Sequence, residues 1–87
     1  MTCGSAKLNE DLLASAGGAD AIPSPYIDYF ERYSNAGEYG LAAAQLLDAS
    51  SEEGIPLDNS LIQEVISTYG RTELGILVDR FPNLATV

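Results

Sequence analysis

Carboxylates are the residues of this chain with the most chemistry within their reach. Asp28 and Glu31 stand three residues apart, which places them on one face of a helix, and Glu52 and Glu53 are adjacent. Two carboxylates held together can share general acid/base work or bind a hard cation. Neither set is completed here. The sequence has no histidine, no further acid is spaced to finish a carboxylate metal site, and adjacent helical residues point in different directions. Cys3 is the only cysteine, so it has no histidine to activate it, no partner for an internal disulfide and no companions for an N/S zinc site. The motifs D-x-[DN]-x-[DN]-G, G-x-S-x-G, GxxxxGK[ST] and GxGxxG do not occur. Lys7, Arg32, Arg71 and Arg80 are scattered, which draws no phosphate clamp and no nucleic-acid patch. A solvated acidic face accounts for the paired acids, and the expectation is a protein that is not an enzyme and uses no metal or cofactor.

Asp58-Asn59-Ser60-Leu61 is a further candidate for chemistry. It resembles the Asp-Ser-Leu motif on whose serine acyl carrier proteins bear their prosthetic group, but an extra asparagine separates Asp58 from Ser60. The motif also lies late in the chain, whereas the carrier serine sits nearer the middle. Ser60 and Gln63 have the spacing of a capping box, and a helix cap explains the serine without a prosthetic group. An acyl-carrier-like or scaffold subunit of a larger enzyme system is the alternative function.

The five tyrosines, at 26, 29, 33, 39 and 69, outnumber the two phenylalanines, and tryptophan is absent. Tyrosine suits positions where one end of the ring is buried and the other meets water or a partner. Most of these are expected in the core. Tyr29 lies at the edge of an apolar helix face between Asp28 and Arg32, where it can anchor a partner.

The elements that must position these residues are helices. Gly37–Glu53 reads as a long helix, apolar nearly all round, interrupted by Glu38, Gln45, Asp48 and Glu52. Their offsets of seven, three and four make one narrow polar ridge, and the rest of the chain is expected to cover the remaining faces. Before it, the spacing predicts a short, loosely docked helix from Ala6 to Ala16, ended by Gly17-Gly18, with residues 1–5 loose. Ser24 as cap and Pro25 at the first helical position predict a helix over Tyr26–Asn35, with Tyr26, Ile27, Phe30 and Tyr33 inward. Gly54 is expected to cap the central helix and Ile55-Pro56-Leu57 to tuck against the core. Leu61, Ile62, Val65, Ile66 and Tyr69 predict a further helix ended by Gly70, and Thr72–Phe81 a last one. No stretch alternates with period two, so the fold class is all-α, a small single-domain bundle of four to five helices over 1–87.

Composition agrees with a folding chain, being 46% hydrophobic and 20% charged. A formal charge of −9 repels nucleic acid and anionic membranes and favours basic partners. No signal-peptide pattern and no membrane-length apolar run occur, so the expected location is the cytoplasm.

The run Tyr33, Gly37-Glu38-Tyr39, Leu41-Ala42, Leu46-Leu47, Glu53 and Ile55-Pro56-Leu57 resembles the MafI family of immunity proteins. That pattern is an aromatic-bearing helix, a Gly-Glu-aromatic turn, Leu-Ala, a leucine-rich helix and an Ile-Pro connector, and it covers roughly a third of the chain. The resemblance implies a small bacterial protein that binds and neutralises the toxin domain of a polymorphic secreted toxin. Such a protein needs a rigid scaffold and a complementary surface rather than catalytic machinery. The expected surface joins Asp28, Tyr29 and Glu31 on the second helix to Glu38, Asp48 and Glu52 on the central one. Its expected partner is a basic, nuclease-type toxin domain.

Overall fold

The computed structural model describes residues 2–75, and the description of side chains leaves out residues 2–5 and 71–73. Four helices follow in order: α1 (Thr2–Ala16), α2 (Tyr26–Asn35), α3 (Tyr39–Glu53) and α4 (Asn59–Leu74), with one 3-10 turn at Ala19–Ala21. No strand occurs among the described residues, and the fold is all-α.

The core is organised around α3. Ala42, Ala43, Leu46, Leu47 and Ala49 on it are completely shielded from solvent, and Gly40 and Ala44 are buried as well. Its alanines let neighbouring helices approach closely, while Leu46 and Leu47 fill the space between them. The other three helices all pack on α3, with α2 making the most extensive pairing. From α2 come Phe30, buried, and Tyr26, Ile27 and Tyr33, half-buried against the same cluster. From α4 come Ile62 and Val65, flanked by half-buried Leu61, Ile66 and Tyr69. Each fully buried leucine contributes about 1.5–3 kcal/mol relative to exposure.

Helix α1 departs from expectation twice. Its helical backbone begins at Thr2 rather than at Ala6; Thr2, Cys3, Gly4 and Ser5 are modest to poor helix formers, but extending an existing helix needs no new nucleus. Nor is α1 loosely docked. Leu8 and Leu12 are buried and Leu13 and Ala16 half-buried against the core, because α1 lies on both α3 and α4. A weak apolar stripe on a helix is enough when two partners flank it.

The helix ends show where local sequence decides and where it does not. Gly37 (φ 79°) closes α2 with a paired arrangement: the Gly37 amide donates to the Ser34 carbonyl at 3.1 Å and the Glu38 amide to the Tyr33 carbonyl at 2.8 Å. The left-handed φ is one that a residue with a Cβ adopts only at a cost. Central helix α3 therefore starts at Tyr39, two residues later than Gly37, with Glu38 as its N-cap residue. Gly54 caps its C-terminus as expected, its amide donating to the Ser50 carbonyl at 3.0 Å. Leu57 is buried and Ile55 packs on the core, and the Ser50 hydroxyl donates to the Ile55 carbonyl at 2.6 Å, pinning the connector.

Two capping assignments need correction. Ser24 does not cap α2: the N-cap residue is Pro25, joined to Ser24 by a cis peptide bond, and no side chain caps this end. The carbonyls of Pro23 and Pro25 receive the Ile27 and Tyr29 amides instead. The Ser60–Gln63 capping box does not cap α4 either, because the helix starts at Asn59, two residues earlier than a Ser60 cap requires. Asp58 holds that end. Its Oδ1 accepts from the Ser60 amide at 2.8 Å, the Leu61 amide at 3.2 Å and the Ser60 hydroxyl at 2.5 Å. The hydroxyl and amide bonds hold the Asp58 carboxyl below its ordinary value.

The backbone leaves the helical region at Gly70 (φ 76°, ψ 177°), so the predicted end of a helix there is met by a sharp bend between two helical stretches. Leu74, beyond the bend, is buried. Most of the expected Thr72–Phe81 helix lies outside the described residues.

Candidate protein-binding surface

On α2, helical geometry puts Asp28, Tyr29 and Glu31 together outside the core. All three are exposed, and Tyr29 retains 41% of its surface. The ring is held in place by its own helix. Tyr33, one turn on, stacks against it with centroids 6.3 Å apart and planes 26° off parallel, and the Arg32 guanidinium lies 5.6 Å from its centroid. Both contacts are attractive. Tyr33 is itself half-buried against the core, so it ties the exposed ring to the interior. An aromatic side chain positioned before a partner arrives loses little conformational freedom on binding.

On α3, Glu38 and Glu52 are exposed, whereas Gln45 and Asp48 are half-buried. The ridge has a member that sequence reasoning counted with the core. Leu41 lies three residues beyond Glu38 and four before Gln45, in the same line, and it is 38% exposed. Its neighbours along the chain are buried. The signal was present in the spacing, but Leu41 reads as apolar material in a helix that is apolar on most sides. The ridge is long: Asp48 lies ten residue steps beyond Glu38, about 15 Å of helix axis. Asp48 and Glu52 are one turn apart, and each engages another group of the protein. The ridge carboxylates therefore divide into Glu38 at the α2–α3 connection and the pair Asp48 and Glu52 toward the far end.

Tyr29 and Leu41 are the two large hydrophobic side chains left exposed among the described residues. One sits on each acidic ridge, on the two helices that pack most extensively together. Each is thus an apolar side chain flanked by carboxylates along its own helix, and apolar contacts rimmed by charge are the general anatomy of protein-binding surfaces.

A second polar group, unmarked by any motif, lies on α1. Asn9 is 2% exposed, the one buried polar residue among those described. Its Nδ2 donates to the Tyr39 carbonyl at 2.9 Å, and its Oδ1 accepts from the Tyr69 hydroxyl at 2.8 Å. One amide thus ties α1 to the first residue of α3 and to α4. The available signal was its position beside Leu8, Leu12 and Leu13 on the inward side of α1.

No group of three or more His, Cys, Asp or Glu side chains that could hold a metal occurs among the described residues. Ser60, the residue of the near-match carrier motif, is exposed and its hydroxyl is engaged with Asp58. No described helix is long and apolar enough to cross a membrane.

No protein-family model, no curated protein and no solved structure matches this chain.

Proposed function

We propose that this chain is an immunity protein, which binds a cognate basic toxin domain and neutralises it by covering its active site or an adjoining surface. The observation that carries the reading is the pre-positioned Tyr29 ring, exposed between Asp28 and Glu31 and braced by Tyr33 and Arg32. The resemblance of Tyr33–Leu57 to MafI immunity proteins supports it, as does the formal charge of −9. A charge of that sign speeds association with a cationic partner and orients the encounter. Tyr29 is the anchor, with Leu41 as a second apolar contact where both ridges are engaged. Asp28, Glu31 and Glu38, with Asp48 and Glu52 on the farther part of the ridge, face the arginines and lysines that otherwise hold substrate phosphates. The protein performs no catalysis in this reading and works in the cytoplasm of a bacterium that makes the toxin.

The test is co-expression with the C-terminal domain of a large secreted protein encoded immediately upstream. Stable co-purification and rescue of cells from that domain's toxicity are expected. Failure of both, with each protein folded, contradicts the proposal. The carrier alternative is tested by mass: a phosphopantetheinyl transferase is expected to add nothing to Ser60.

A further inference from the structure

Helices α1 and α2 both pack on α3 but scarcely on each other. Between them lies an open cleft of about 270 Å³. We infer that this cleft is a receptor for a single cationic side chain, an arginine or lysine of a basic protein partner. The inference rests on the reading of the chain as a binder of such a partner, and it places a contact outside the Tyr29 surface.

Size comes first. Small-molecule sites occupy roughly 300–1,000 Å³ and enclose most of their ligand; this cleft lies at the lower edge of that range and is open, which suits one inserted side chain. Its lining has two characters. Ala6, Phe30 and Tyr39 supply apolar wall, and Phe30 is buried at 7% exposure. Glu10, Ser34 and Asn35 supply polar groups, Glu10 and Asn35 being exposed and Ser34 half-buried. Asn9 also borders the cleft, but its amide is committed to Tyr39 and Tyr69. Among the described residues Glu10 is the only carboxylate of the lining, and no lysine or arginine belongs to it. The nearest base in sequence, Lys7, is exposed and pairs with Asp11 at 2.8 Å, with Glu10 only a weaker Coulombic neighbour.

An aliphatic stem along Phe30 and Ala6, with a positive head at Glu10 and the oxygens of Ser34 and Asn35, matches both characters. Lysine and arginine are the side chains built that way. An anionic or purely apolar group would leave Glu10 repelling it or the polar groups uncovered. The cleft also gives α1 a role at the surface as well as in the core.

The experiment is a titration of the full chain with n-butylguanidinium chloride, followed by backbone amide NMR shifts, against tetramethylammonium chloride at equal ionic strength. Saturable shifts centred on Ala6, Glu10, Ser34, Asn35 and Tyr39 are expected with the guanidinium only. Glu10→Gln, at an exposed position that leaves the fold intact, is expected to weaken binding about two- to fivefold, the range of a solvent-accessible ion pair. Shifts that never saturate, that are equal for both cations, or that survive Glu10→Gln at unchanged affinity would overturn the assignment. Because the probe contains no toxin, this failure is separate from failure to co-purify with a toxin domain.

Discussion

Asn9→Ala removes the amide that joins three helices, and its cost can be worked from the two bonds it makes. Nδ2 donates to the Tyr39 carbonyl at 2.9 Å and Oδ1 accepts from the Tyr69 hydroxyl at 2.8 Å, both at a side chain with 2% exposure. Each such bond contributes about 1 kcal/mol net, so the loss is about 2 kcal/mol before any packing deficit. For a domain of this size that lowers the melting temperature by about 8–16 °C. Thermal unfolding followed by far-ultraviolet circular dichroism reads it directly. Tyr69→Phe removes one of the two bonds, and the double variant should lose less than the sum of the singles, with a coupling of about 0.5–1.5 kcal/mol. Asn9→Asp should be worse than Asn9→Ala at neutral pH and improve on acidification. Its buried carboxylate is costly when charged and can donate to the Tyr39 carbonyl only when protonated. A melting point for Asn9→Ala close to wild type, or strictly additive singles, would refute the view that this amide holds α1 to the bundle.

Leu46→Ala should destabilise by about 2–5 kcal/mol, since the side chain is completely buried at the centre of α3; Leu46→Asp should not fold, which a wild-type melting curve would disprove. Asp58 has a lowered carboxyl pKa from the Ser60 hydroxyl and the Leu61 and Ser60 amides, so its capping contribution is full above the ordinary aspartate value. It is lost as pH falls through the lower folded value. Comparing wild type with Asp58→Asn between neutral and strongly acid pH should show that component missing from the variant; identical profiles would count against the cap. Tyr29→Ala should leave the melting temperature nearly unchanged and weaken toxin binding by about 1–3 kcal/mol, measured by calorimetry.

Element positions were largely legible because each is written locally. Tyr26–Asn35 runs over the residues that its apolar spacing predicts, and Gly37, Gly54 and Gly70 mark helix ends through positive φ. Caps were less legible. Serine, aspartate and asparagine compete for the same amides, and at Asp58-Asn59-Ser60 the choice fell to the residue whose carboxylate reaches two amides and a hydroxyl at once. Tertiary features were the least legible. Asn9 is an ordinary polar residue until α3 and α4 bring Tyr39 and Tyr69 to it, and Leu41 is an ordinary core leucine until the line from Glu38 to Gln45 turns outward. Of the candidate surface, the exposure of Asp28, Tyr29 and Glu31 followed from helix periodicity alone, whereas the Tyr33 and Arg32 contacts that brace the ring required the structure.

Calorimetry of the charge-reversed variant Asp28→Lys/Glu31→Lys with the upstream-encoded toxin domain, at low and high salt, tests the central claim most directly. Both residues are exposed, so the fold should be retained. Wild type should bind more weakly as salt rises, and the variant should lose binding and fail to protect cells. A folded variant that binds and protects like wild type would place the interface elsewhere and contradict the account.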